Sequence, residues 1–124
     1  MRKIIFLLWV ITGANLEAIT PSGSYEVFNG SDGTVEIQCG TAAYPRQEAW
    51  SLPRGRGDAG SGDHSQLTFV RVRYRSGRII VLTEKQILRT EAESGFPSGT
   101  WWIENSGLNY ISRRDANFRK RAFR

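Results

Sequence analysis

Two runs, LTFVRVRYR (67–75) and RIIVLT (78–83), alternate apolar and polar residues, and only Ser76-Gly77 separates them. A period of two is that of a half-buried strand, and a two-residue loop containing Gly joins antiparallel neighbours, so the segment is expected to form a β-hairpin. Such a loop pairs residue 75 with 78, 73 with 80 and 71 with 82, and on the other face 74 with 79 and 72 with 81. Val72, Tyr74, Ile79 and Val81 then make an apolar face. The opposite face carries Phe69, Arg71, Arg73, Arg75 and Arg78 beside Ile80 and Leu82.

The rest of the chain is punctuated at similarly short intervals. In SYEVFNGSDGTVEIQC (24–39), a loop at 29–33 would make a second hairpin in which Val27 faces Val35 and Tyr25 faces Ile37. Glu26, Glu36 and Gln38 would point away. After Thr83 the period changes: Thr83 and Gln86 fit a capping box, and Gly95 followed by Pro97 marks a stop. This predicts one short helix near 84–94 that turns Ile87, Leu88 and Ala92 toward the sheet. GTWWIENSGLNYIS (99–112) reads as two strands around Asn105-Ser106-Gly107, with Trp101 and Trp102 on opposite faces. The fold class expected is mostly β, a small antiparallel sandwich or barrel-like sheet of hairpins.

At 124 residues the chain has room for one domain. Its first 18 residues have the three parts of a signal peptide: Arg2-Lys3, the apolar run Ile4 to Ile11, and small residues with cleavage after Ala14 or Ala18. Eight apolar residues fall short of the roughly 20 that span a bilayer. The expected organisation is a leader over 1–18, a β-rich domain over 19–112 and a basic C-terminal tail over 113–124, in a secreted or periplasmic protein without a transmembrane segment. With Cys39 as the only cysteine, no internal disulfide can form, and the thiol is read as a small buried hydrophobe.

The formal charge of +5 is unevenly placed. RRDANFRKRAFR (113–124) carries six basic groups and Asp115, whereas residues 19–112 carry a net −1. The tail is read as a solvated, frayed end, or else as an arm for anionic polymers or headgroups. The arginine row of the hairpin is the more specific feature. Same-side residues on a strand stand about 6.5 to 7 Å apart, so Arg71, Arg73 and Arg75 would form a ladder of planar donor pairs suited to carboxylate, sulfate or phosphate. Binding of an anionic glycan, a lipid headgroup or an acidic protein surface through Arg71, Arg73, Arg75 and Arg78 is the expected function, with Trp101 or Trp102 and the tail assisting. Pairing of an exposed edge strand with a second copy, or docking as a secreted inhibitor or subunit, is the alternative. Export argues against nucleic acid as a partner.

Three further motifs carry weaker readings. Arg56-Gly57-Asp58, inside SLPRGRGDAGSGDHS (51–65), spells the tripeptide that adhesive proteins present to integrins, in a stretch otherwise read as a flexible spacer. Asn29-Gly30-Ser31 is a glycosylation acceptor in a eukaryotic source, or simply a turn. His64 stands beside Asp63 and Ser65, but consecutive residues do not converge as a nucleophile, base and orienting acid must. No metal-ligand spacing is present and no cofactor is implied, so binding is expected and catalysis is not.

GTVEIQC, Trp50 eleven residues after Cys39, and SGTWW later resemble the B strand, the C-strand Trp and the F-strand region of a variable-type immunoglobulin domain. The resemblance implies an immunoglobulin V-like sandwich and a receptor or adhesion role as the alternative. The chain departs from that pattern where Ile103 replaces the second cysteine and where a helix-like segment takes the place of the E strand.

Overall fold

The loop at residues 30–33 carries the chain from one sheet to another instead of turning it back within one. The computed structural model describes residues 25–45, 47–60 and 66–124. In chain order its elements are β1 (Tyr25–Asn29), β2 (Val35–Thr41), β3 (Trp50–Leu52), β4 (Gly57–Gly60), β5 (Leu67–Arg73), β6 (Ile79–Thr83), α1 (Glu84–Ser94), β7 (Gly99–Glu104), β8 (Gly107–Ser112) and α2 (Arg113–Lys120), which tightens into a 3₁₀ turn at Arg121–Phe123. Sheet one has the order β4-β1-β7-β8 and sheet two the order β3-β2-β5-β6. The fold is therefore a mostly β, sandwich-like pair of sheets, as expected from the alternation.

The hairpin expected over 24–39 does not form. β1 pairs with β4 and β7, and β2 pairs with β3 and β5. The alternation was satisfied another way: Tyr25 and Val27 of one sheet and Val35 and Ile37 of the other all enter the same core, facing it from opposite sides. The β1–β7 pair is parallel, with Val27 opposite Trp101 and Phe28 opposite Trp102, whereas the other pairs among the described strands are antiparallel. Gly30 follows β1 because the Trp102 indole lies where any side chain at that position would have to go.

The hairpin over 67–83 forms, but one residue out of the expected register. Arg73 is opposite Ile79, Val72 opposite Ile80 and Arg71 opposite Val81. The loop holds three residues, Arg75, Ser76 and Gly77: Tyr74 N–H donates to Arg78 O at 2.8 Å, Gly77 N–H donates to Tyr74 O at 2.9 Å, and Gly77 takes the left-handed conformation at φ 95°. A type I turn closed by a left-handed Gly is the usual three-residue hairpin loop. Since side chains alternate, a one-residue slip exchanges the faces of the second strand. Ile80 and Leu82 therefore turn inward, while Ile79 and Val81 stand on the arginine face.

Helix α1 is bounded as predicted. The Thr83 hydroxyl accepts from Gln86 N–H, Gln86 reaches back to Thr83, and Gly95 ends the helix at φ 72°. Its inward face is Ile87 with Glu91 a turn later, whereas Leu88 and Ala92 are exposed, contrary to expectation. Glu91 takes the place that an apolar residue was expected to fill because it accepts the indole N–H of Trp101 at 3.1 Å and the Gln66 amide at 3.1 Å.

Residues 113–120 form α2, packed across the outer face of sheet one, in place of a frayed tail. Ser112 caps it, its hydroxyl accepting from Asp115 N–H. Ala116 and Phe123 close over Phe28, Trp102 and Ile111 to make a second apolar cluster on the side of sheet one away from the main core. Phe28 and Trp102 stack with centroids 4.7 Å apart, a contact worth about 0.5–1.5 kcal/mol beyond its buried area. The layers are thus α2, sheet one, sheet two.

The immunoglobulin alternative does not hold. In that fold the B strand and the C-strand Trp lie in opposite sheets. Here the Cys39 strand β2 and the Trp50 strand β3 are neighbours in one sheet, Ile37 opposite Trp50.

Candidate functional site on sheet two

Among the described residues, no helix covers the outer face of sheet two. Along it, Glu36 and Gln38 of β2 stand opposite Arg73 and Arg71 of β5, which in turn stand opposite Ile79 and Val81 of β6. Ile79 is 47% exposed and Val81 51% exposed. One carboxylate serves two guanidinium groups: Glu36 Oε1 lies 3.1 Å from Arg73 Nε and 3.9 Å from Arg71 Nη1. All three side chains are partly exposed, so each pair contributes no more than about 1 kcal/mol, and the face keeps an excess of positive charge.

Arg75 and Arg78 do not extend this row. Arg75 lies in the hairpin loop. It lines both of two open, adjoining clefts, of about 390 Å³ and about 570 Å³, that share Thr34, Val35 and Tyr74. The first cleft adds Asp32 and Arg78, the second Glu36, Ser51 and Arg73. Among the described residues, Arg75 takes part in no ion pair.

Arg78 is committed to the fold. Its guanidinium donates to Asn105 O at 3.1 Å and Ser106 O at 2.7 Å, tying the β5–β6 loop to the β7–β8 turn, and sits 5.6 Å from the centre of the Tyr74 ring. Tyr74 OH donates to Glu104 O at 2.6 Å. Burial pushes the Tyr74 hydroxyl above its ordinary pKa, with Arg78 pulling the other way. Across the first cleft, Asn105 Nδ2 donates to Asp32 Oδ2 at 2.8 Å and Asp32 N–H donates to Asn105 Oδ1 at 2.9 Å.

The other residues singled out from the sequence fall elsewhere. Trp101 and Trp102 do point to opposite faces, but both are buried, one in the main core and the other under α2, so neither offers a ring to a ligand. Gly57 and Asp58 belong to edge strand β4 and not to a flexible loop. Asp58 is opposite Val27, and its carboxylate accepts from Tyr25 OH at 3.2 Å, which holds it against sheet one while Arg56 is exposed. The Asn29 amide is fully buried: Nδ2 donates to Gly33 O and Leu52 O, and Oδ1 accepts from Ser31 N–H and Oγ–H. The nitrogen that a glycan would require is thus turned into the loop. Cys39 is buried and free, and burial, reinforced by Asp58, pushes its thiol up to about 12. Asp63, His64, Ser65 and the leader lie outside the described residues.

Reading the sequence missed Asp32, Thr34 and Tyr74 as cleft residues. Their signal is the Arg75-Ser76-Gly77 loop, whose third residue places Tyr74 across from Arg78 and beside the β1–β2 crossover. Among the described residues, no three His, Cys, Asp or Glu side chains gather as a metal ion would need, and no helix is long and apolar enough to cross a membrane. No family model matches the chain, and neither a curated protein nor a solved structure matches it.

Proposed function

We propose that this protein is a small exported binding module that recognises an acidic glycan through Arg71, Arg73 and Arg75, with Arg78 holding the clefts in shape. The observation that carries the reading is Arg75, which lines both clefts and has no carboxylate of its own among the described residues. A guanidinium free to offer two parallel donors accepts a carboxylate or sulfate in bidentate fashion. Open clefts suit a ligand that lies along a surface. Export rests on the leader pattern of residues 1–18.

The test is binding of the protein to sulfated, sialylated and neutral glycans at low and high salt. Arg73→Gln and Arg75→Gln together are expected to weaken binding to the acidic glycans at least about tenfold, as loss of a charge-assisted pair would, while costing no more than about 1 kcal/mol of stability through the Arg73–Glu36 pair. Binding that the double variant leaves intact, or no preference for acidic over neutral glycans, overturns the reading.

A second reading has its own observation. Ile79 and Val81 stand about half exposed among the arginines, a mixture that suits the edge of a protein partner better than a sugar. Ile79→Thr and Val81→Thr would then weaken capture of that partner and leave glycan binding unchanged.

A further inference from the structure

Helix α2 has two unlike sides. Arg113, Ala116 and Lys120 recur at helical spacing and face sheet one, where Arg113 and Lys120 meet Glu26 and Ala116 is fully buried. One stripe on the opposite side is formed by Arg114, Phe118 and Arg121, four and then three residues apart. Phe118 is 69% exposed, which is unusual for a large aromatic side chain. The Arg121 guanidinium lies 5.5 Å from the centre of its ring.

The charges of the two sides are also spent differently. Arg113 and Lys120 are paired with Glu26, and Arg119 with Glu104. Among the described residues, Arg114, Arg121 and Arg124 take part in no ion pair. Arg54 joins the same end of the molecule, its guanidinium 4.6 Å from the Phe123 ring. Residues 19–112 carry a net −1, so the positive field of the protein is concentrated on this end.

We propose that the Arg114–Phe118–Arg121 stripe, which runs along α2 into the 3₁₀ turn that follows it, is a docking surface for an anionic lipid bilayer. A convex helix with one aromatic side chain at its crest and cations on both flanks matches a flat, negatively charged interface: the ring enters the headgroup region while the guanidinium groups stay with the phosphates. A protein partner would need a groove for the same ring. Because sheet two is the layer farthest from α2, its arginine face and clefts would point away from the bilayer. The inference stands apart from the glycan reading, since the two surfaces share no residue.

The experiment is flotation of the full chain with vesicles of phosphatidylcholine alone and with vesicles that also contain phosphatidylglycerol. The protein is expected to float with the anionic vesicles only, and less so as salt rises. Arg114→Gln and Arg121→Gln should each weaken the partition about fivefold, and Phe118→Ser about tenfold, with Phe118→Leu restoring most of it. These side chains are exposed, so thermal unfolding of the variants should match that of the parent. Arg73→Gln with Arg75→Gln should leave flotation unchanged. No flotation with anionic vesicles, flotation that Phe118→Ser and Arg121→Gln do not alter, or flotation lost with Arg73 and Arg75 instead would each overturn the proposal.

Discussion

Lys120 reaches back over sheet one to Glu26, its Nζ 2.6 Å from Oε2, across 94 residues of sequence. Burial alone would raise the Glu26 carboxyl. Hydrogen bonds from Lys120 and Thr100, with the charges of Lys120 and Arg113, outweigh it and hold the group below its ordinary value. A depressed carboxyl stabilises the fold above the unfolded pKa of about 4.3, and that contribution is lost as pH falls through the folded value. Urea midpoints should therefore drop on acidification below about pH 4.3. Lys120→Met is expected to cost about 1–3 kcal/mol at neutral pH and to flatten this acid limb.

The same contact explains why the last dozen residues are not dispensable. A chain ending at Ser112 would expose Phe28, Trp102 and Ile111 and leave Glu26 without Lys120 and Arg113. Its stability is expected to fall by at least about 3 kcal/mol, on the scale of removing a large buried aromatic. Thermal unfolding and binding of an apolar dye report both effects; an unchanged melting temperature would mean that α2 does not hold the sheet.

What was legible in the sequence was local. The capping box of Thr83 and Gln86 and the left-handed Gly95 bound α1 without help from the rest of the chain, and Asn105-Ser106-Gly107 announces the β7–β8 turn. Alternation in 25–37 shows which residues go inside, but a hairpin and a crossover between two facing sheets satisfy it equally, so partners stayed hidden. Gly57–Gly60 has almost no strand propensity of its own; β1 recruits it, a tertiary override. Of the ladder, Arg71 and Arg73 were read correctly as a pair on one face, while Arg75 and Arg78 depended on whether the loop held two residues or three. Helix α2 was masked by its charge, although Ser112 with Asp115 three residues later had the form of a cap.

Alkali should act on the core as acid acts on Glu26. Burial pushes the Cys39 thiol and the Tyr110 hydroxyl up to about 12, and raises Tyr25 further, with Asp58 adding to the shift of Tyr25 and Cys39. For groups with raised folded pKa values, stability is complete below the unfolded values of about 8.5 for Cys and about 10 for Tyr, and is lost as pH rises toward the folded ones. The protein is expected to unfold progressively between about pH 9 and pH 12. Cys39 should react with a disulfide reagent only at the rate of opening, so labelling that is fast under native conditions would contradict its burial.

Asn29 anchors the crossover through both ends of its amide, bonding to Gly33, Leu52 and Ser31. Asn29→Ala would take the side-chain donor from the Gly33 and Leu52 carbonyls and the acceptor from Ser31 N–H, while the Ser31 hydroxyl keeps Gly33 O as its partner at 3.0 Å. The expected cost is about 2–4 kcal/mol, and Asn29→Asp should be nearly as harmful because an acceptor replaces the Nδ2 donor. Chemical denaturation checks both variants.

The register of the β5–β6 hairpin makes the sharpest contrast, because neighbouring apolar residues of β6 are assigned opposite roles. Ile80 and Leu82 face inward opposite Val72 and Val70, whereas Ile79 and Val81 lie on the open arginine face. With a two-residue loop the assignments would be exchanged. Ile80→Ala and Leu82→Ala are therefore expected to destabilise by about 2–4 kcal/mol, while Ile79→Thr and Val81→Thr stay within about 0.5 kcal/mol. The reverse ranking in urea unfolding would restore the two-residue loop. It would also exchange the apolar residues of the arginine face, placing Ile80 and Leu82 beside Arg73 and Arg71 in place of Ile79 and Val81.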